Sequence, residues 1–170
     1  MIGELDLPVG LVSRAREVCL RRATEDDLDA IMTLLSDDPV SAGRGDVGAP
    51  DDRALYLRGL CRILDAEGND LVVVEREGRV VGTLQLTVVP GMARRGSTRL
   101  MVEAVRVAAA ERSAGIGAAA MRWVMDIVAP AVGASLVQLT SDAARTDAHR
   151  FYTRLGFADS HVGFKYRVAD

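Results

Sequence analysis

The chain reads as one mixed α/β domain. Three observations predict it: strand-like and helix-like periods alternate along the chain, a hairpin signature sits mid-chain, and no internal repeat or linker divides it. Its 170 residues suffice for a substantial core. Apolar residues make up 49% and charged residues 26%, an ordinary globular balance. The expected element order is βααββ-β-αβαβ, in a single domain over residues 1–170.

Glu17 to Arg21 reads as a short strand. Thr24 then caps a helix, with Asp27 three residues on as an acidic partner in its first turn. Leu28, Ile31, Met32 and Leu35 give that helix an apolar stripe. Asp37 to Pro50 is rich in Gly, Pro and Asp and reads as a loop. A second helix from about Asp51 carries Leu57, Leu60, Cys61 and Leu64 at helical spacing. Leu71 to Glu75 and Arg79 to Val88 form a hairpin around Glu77-Gly78. After a loop at Val89 to Ser97, Thr98 to Val107 is the next strand. Gly115 to about Val128 is a helix buried on Ile116, Ala119, Ala120, Trp123 and Ile127, stopped by Pro130 and Gly133. Ser135 to Thr140 is a short strand, and Thr146 to Leu155 a helix closed by Gly156. The last strand is expected through His161 to Val168.

Composition excludes several classes. A net charge of −3 gives no electrostatic reason to expect nucleic acid. Cys19 and Cys61 lack metal-ligand spacing and suit buried thiols in a cytoplasmic chain better than a disulfide scaffold. Two histidines, His149 and His161, do not make a metal site. No apolar run is long enough to span a bilayer, and Glu4 and Asp6 stand where a signal peptide carries basic residues. The expectation is a cytoplasmic protein with no metal, no membrane and no nucleic-acid partner.

The stretch Val105 to Gly117 carries the most chemistry. A strand ends, a polar turn carries Arg112, and Gly115 and Gly117 open a helix. Free N–H groups and a positive dipole end make this a pyrophosphate site. A P-loop fails, because it needs a lysine in the loop and Lys165 is the only lysine. Gly115-Ile-Gly117-Ala-Ala-Ala120 also matches a relaxed dinucleotide fingerprint, with Asp142 ending the next strand. Yet a polar turn separates Val107 from Gly115, and only 28 residues follow Asp142, too few for further βα units. The third candidate is acyl-coenzyme A.

Arg112-Ser-Ala-Gly115-Ile-Gly117 fits an Arg/Gln-x-x-Gly-x-Gly/Ala turn, and Ala148-His-Arg-Phe-Tyr152-Thr-Arg-Leu155-Gly156-Phe157 follows one helix and one strand later. In these two segments, their order and their spacing, the chain resembles the GCN5-related N-acetyltransferase (GNAT) superfamily. The resemblance implies a mixed, mostly antiparallel central sheet with helices on both faces and a splayed strand pair. It implies acetyl-CoA as co-substrate and an acetyl group passed directly to a primary amine. Val105, Arg106 and Val107 would pair with the pantetheine arm. Arg112, Ser113, Ala114, Gly115, Ile116, Gly117 and Ala118 would cradle the pyrophosphate. Tyr152 aligns with a tyrosine near the thioester sulfur that protonates the leaving thiolate. Glu103 aligns with a strand carboxylate that takes the amine proton, usually through water. Ser113 and Ala109 replace a common glycine and proline, and Arg145 replaces an asparagine that contacts the cofactor, a place from which arginine can reach a phosphate.

Plainer readings stand beside these. Tyr152 also reads as a helix aromatic packing on Leu155 and Phe157, and Glu103 as a solvated strand carboxylate. Arg94 and Arg95 read as solvated, Trp123 as core, and His161 as a candidate for the acceptor pocket by resemblance. Asp37, Asp38, Asp46 and Asp51 attract a cationic amine or are simply loop acids. The expected acceptor is a small-molecule amine. A homodimer is expected by resemblance only, through an exposed terminal strand. The competing functions are a non-catalytic acyl-CoA-binding regulatory module of the same fold and an NAD-binding Rossmann-type protein.

Overall fold

The computed structural model describes residues 2–168 apart from Ala15 and Arg44, and these fall into two compact units, residues 1–139 and 140–170. Met1 of the N-terminal segment and Arg44 of the Asp37–Pro50 loop lie outside the described residues.

In the first unit, six strands form one sheet in chain order: β1 (Val9–Ser13), β2 (Arg16–Arg22), β3 (Asn69–Arg76), β4 (Arg79–Val89), β5 (Thr98–Val107) and β6 (Ala134–Leu139). Every neighbouring pair is antiparallel except β5 with β6. This mostly antiparallel sheet overturns the Rossmann alternative, which needs a parallel, doubly wound sheet. Asp70 to Val74 of β3 are buried without a break, so both faces of the sheet centre are covered.

Helices α1 (Leu28–Ser36) and α2 (Arg53–Asp65) pack on one face, where Leu28, Ile31, Met32 and Leu60 meet Leu71 and Val73. Helix α3 (Ile116–Trp123) packs against β1 and β5. The entry to α1 is built as the sequence predicts: the Thr24 N–H donates to Asp27 Oδ2 at 2.8 Å. Asp27 also receives both terminal nitrogens of Arg21 at 2.8 Å each, while Arg21 Nε donates to Glu75 Oε2 at 2.8 Å. Strand, helix entry and hairpin are thereby tied at one point.

That knot sets an acid sensitivity. The hydrogen-bonded Arg21 guanidinium, more than any other contact, holds the Asp27 carboxyl below the usual carboxylate range. A depressed folded value means the stabilisation is complete above the usual range and is lost as pH falls through the depressed one. Asp27→Ala is expected to cost about 2 kcal/mol at neutral pH, from lost charge-assisted hydrogen bonds, and to flatten the acid limb of a melting-temperature profile. An unchanged acid limb would contradict the assignment.

The structure corrects the sequence reading in several places. Strand β1 was not expected; Val9–Ser13 is only five residues long and half-buried to exposed up to Ser13. The helix continuing α3 turns π-helical over Val124–Val128 before a last turn at Ala129–Ala131. The wider turn shifts the phase, so Val124 and Val128 are buried while Ile127 is 56% exposed. Pro130 therefore does not stop the helix; it lies within the final turn, and Gly133 follows the end. Leu57 packs against the core as expected, but Leu64 of α2 faces outward, and Tyr56 and Ile63 pack there instead.

In the second unit, α4 (Thr146–Arg154) ends at Gly156 with Gly156 N–H to Thr153 O at 3.0 Å and Phe157 N–H to Tyr152 O at 3.1 Å, a Schellman closure. The strand expected over His161 to Val168 is not formed. A strand exists only through its ladder, and residues 158–168 have no ladder partner here. Val162, Phe164, Tyr166 and Val168 are 80%, 92%, 91% and 83% exposed.

Candidate functional site

Strand β5 creates the site by being longer than its neighbour. Its pairing with β6 runs from Thr98↔Ala134 to Val102↔Leu139 and stops there. Glu103 to Val107 continue along β4 only, so the β6 side of Val105, Arg106 and Val107 is left as a backbone edge within this unit. The resemblance implies a splayed pair; here the ladder stops where β6 itself ends, at Leu139.

A bulge sits at the parting point. Gln85 pairs with Glu103 and Thr83 with Arg106, so Ala104 and Val105 together oppose Leu84. Ala104 takes a positive φ of 50°. The extra residue changes the phase of the strand. Glu103 and Arg106, three apart, now stand beside Gln85 and Thr83 on the α1–α2 face, because directly paired residues share a face. β4 comes so close here that a Cβ on Gly82 would meet Arg106 O at 2.9 Å. Glu103 itself is exposed. Arg106 donates from Nη2 to Ser41 Oγ at 2.8 Å and from Nη1 to Val105 O at 2.9 Å, so its side chain reaches toward the α1–α2 connection.

The turn after β5 is held from two sides. A short 3-10 turn, Ala109–Glu111, is anchored by Glu111, whose Oε1 accepts from Arg76 Nη1 at 2.8 Å. Arg112 donates from Nε to Val107 O at 3.1 Å and from Nη2 to Asp37 O and Oδ2 at 3.0 and 3.1 Å. Both members of that pair are substantially exposed, so it orients the guanidinium and adds little stability. Ser113 and Gly115 take positive φ of 65° and 85°. The Ser113 and Ala114 carbonyls accept from Arg14 Nη1 at 2.7 Å and Ser13 Oγ at 2.8 Å. A trans peptide holds C=O and N–H on opposite sides, so the Gly115 N–H points away from the end of β1, while the Ala114 N–H donates to Glu111 O at 3.4 Å. Gly115 O accepts from Ala119 N at 3.0 Å, and the first-turn N–H groups of Ile116, Gly117 and Ala118 therefore have no acceptor within the helix. A Cβ on Gly115 would meet Ser13 Oγ at 2.7 Å. A concave run of N–H groups at a helix N-terminus fits a diphosphate. Ser13 and Arg14, which shape it, carry no motif and were invisible in the sequence.

Tyr152 and Arg145 belong to the second unit. The Tyr152 ring meets Phe151 and Phe157 edge-on, with centroids 5.1 and 5.7 Å apart. Arg145 precedes α4, its backbone N–H on Asp142 O at 3.0 Å and its carbonyl accepting from His149 N. His149 Nε2 lies 2.8 Å from Asp142 O, and His161 is exposed beside Ser160. Trp123 is buried in the core, as expected.

The comparisons agree with this geometry. The model of the acetyltransferase (GNAT) family matches residues 28–157. The chain belongs to that family, whose members use acetyl-CoA, and acetyl transfer is the activity class the family defines. No curated relative matches the sequence. Among solved structures, the chain is similar to a Bacillus halodurans protein described as a transcriptional regulator, at 36% identity and TM-score 0.83, covering 89% of this chain and 99% of that one. It shares its fold with a Trypanosoma brucei acetyltransferase at 24% identity and TM-score 0.70, covering 89% and 99%. The fold also recurs in glucosamine-6-phosphate N-acetyltransferase from Arabidopsis thaliana, at 17% identity and TM-score 0.70, covering 89% and 99%. No helix among the described residues is long and apolar enough to cross a membrane.

Proposed function

We propose that this chain is a cytoplasmic N-acetyltransferase that passes the acetyl group of acetyl-CoA to the primary amine of a small molecule by direct attack. The observation that supports it is the β5 edge that β6 does not pair, running from the bulge at Ala104 into the turn at 112–117. Bound acetyl-CoA supplies an acetyl group on a thioester, whose C–S bond is the one broken. Val105 to Val107 offer backbone groups to its arm, and the turn from Ser113 to Ala118 offers its diphosphate the N–H groups of Gly115 to Ala118, that of Ala114 being held by Glu111 O. Arg112 balances the diphosphate charge from the side held by Asp37, and Arg145 serves as a second phosphate contact.

Glu103 takes one proton from the incoming ammonium, leaving a lone pair on nitrogen. That pair forms the N–C bond, and the C–S electrons leave on sulfur. Backbone N–H groups at the bulge face the charge that develops on oxygen. Tyr152 gives sulfur a proton and is restored by the second proton lost from nitrogen. The products are an amide and a free thiol, with one proton released overall. A thiol-release assay over an amine panel tests this. Turnover with at least one small amine is expected, and none with any acceptor would contradict it. A second reading, a non-catalytic acyl-CoA-binding regulator, draws on the name of the Bacillus halodurans neighbour. It predicts coenzyme binding with no thiol release.

The exposed tail supports a homodimer. Val162, Phe164, Tyr166 and Val168 alternate, so in an extended chain they share one face. β6 ends the sheet, and its outer edge has no ladder partner among the described residues. The tail of one copy supplies the strand that the β6 edge of a second copy lacks. Light scattering is expected to give a dimer for the native chain and a monomer for Phe164→Asp/Tyr166→Asp. A monomeric native chain would overturn the pairing.

A further inference from the structure

A cavity of about 450 Å³ opens between α1, α2 and the sheet. Its walls are aliphatic: Leu28, Ile31 and Leu35 from α1, Leu60 and Ile63 from α2, and Leu71 from β3. Its sheet side reaches Thr83, Gln85 and the bulge residue Ala104. Gln85 pairs directly with Glu103, so the cavity ends beside the carboxylate assigned to deprotonation. Its remaining polar groups are Asp46, Asp52 and Tyr56. Tyr56 donates its hydroxyl to Asp46 Oδ1 at 2.7 Å. Burial, then Asp46, pushes the Tyr56 phenol up to about 12, so it stays a donor to the carboxylate at any working pH.

We propose that this cavity is the acceptor site and that it selects a primary amine on an apolar body, an alkyl or arylalkyl amine. The proposal rests on the acetyl-transfer reading and narrows its substrate. Charge and polarity both argue for it. Among the described residues the lining holds two carboxylates and no Lys, Arg or His, and Arg106 on the same face is engaged by Ser41 Oγ and Val105 O, so an anionic acceptor such as a sugar phosphate would meet like charge at the lining. A polyhydroxylated amine would leave its hydroxyl groups unpaired against leucine and isoleucine. An ammonium on a hydrocarbon body meets neither cost. Asp46 and Asp52 draw the cation in, the aliphatic walls take the body, and the nitrogen reaches the bulge. The volume suits a ligand of this size, since small-molecule sites begin at about 300 Å³.

The test has two arms. Calorimetry of the unloaded protein measures binding of hexylamine, phenethylamine, glucosamine 6-phosphate and kanamycin, with acetyl-CoA titrated separately. Thiol release then ranks the same four acceptors. The expected result is binding of the two apolar amines, with kcat/KM at least 10-fold above the sugar phosphate and the aminoglycoside. Asp46→Asn is expected to raise the Kd and KM of phenethylamine at least 5-fold and leave acetyl-CoA affinity unchanged. Leu35→Asp, which places a charge in the apolar wall, is expected to abolish phenethylamine binding. If acetyl-CoA binds and the polar acceptors are preferred, the cavity assignment is overturned while acetyl transfer stands. If acetyl-CoA does not bind but the apolar amines do, the acetyl-transfer reading fails and the cavity's selectivity survives. If neither apolar amine binds the native protein, the proposal is wrong whatever the variants do.

Discussion

Gly115→Val is expected to abolish measurable acetyl-CoA binding, or to weaken it at least 30-fold by calorimetry. Two physical costs combine at this residue. Its φ of +85° lies in the left-handed region, where a β-branched side chain costs about 1–2 kcal/mol or more. A Cβ there would also come within 2.7 Å of Ser13 Oγ, the atom that holds the Ala114 carbonyl. The backbone must move, and the N–H groups of Gly115 to Ala118 move with it. Ser13→Ala is the gentler partner: it releases the same carbonyl without strain and is expected to weaken binding a few-fold. Thermal melts accompany both, because a folded Gly115→Val protein that binds acetyl-CoA normally would remove the turn from the account.

Tyr152→Phe is expected to lower kcat about 100-fold, the scale of a lost general acid, while acetyl-CoA affinity and melting temperature stay put. The fold has little reason to change. The phenylalanine ring keeps the edge-on contacts to Phe151 and Phe157 and loses only the hydroxyl. A fall in kcat with unchanged KM for acetyl-CoA separates a proton donor from a packing residue, since a packing role would spare the rate. Normal turnover in Tyr152→Phe would make the tyrosine a structural aromatic.

Much of this frame was readable in the residues, for local reasons. The hairpin at Glu77-Gly78 announces itself because both residues take positive φ, 52° and 73°, in a two-residue turn. Strand β5 was legible to its last residue, since a β-rich run meets a polar turn with no ambiguity of period. Thr24 and Asp27 marked the entry to α1. What escaped the sequence depends on distant partners. The bulge at Ala104 has no local signature; it exists because β4 and β5 must pair on both sides of Leu84. The π-helical turn at Val124–Val128 defeats a fixed helical period, which is why Ile127 was placed inside and Val128 was not. Ser13 at the end of β1 and Arg14 just after it reach the turn from about a hundred residues away, beyond any motif's reach. The tail shows the converse. Its alternation predicted a strand over His161 to Val168 that the structure does not form, because a strand also needs an edge to pair with.

The candidate site divides the same way. Glycines at 115 and 117 and the arginine at 112 were visible because a diphosphate demands backbone freedom and charge at fixed offsets. The acceptor cavity was not, because Leu28, Tyr56, Thr83 and Ala104 converge from four separate elements. Asp46 was visible only as one loop acid among several; the hydrogen bond from Tyr56 sets it apart.

Mapping amide shifts as coenzyme A is titrated into the ¹⁵N-labelled protein addresses the claim on which the rest stands. The account predicts the largest shifts at Gly115 to Ala118 and along Val105 to Val107, with no comparable response to NAD. Saturable binding that leaves those amides unmoved, or an equal response to NAD, would contradict it.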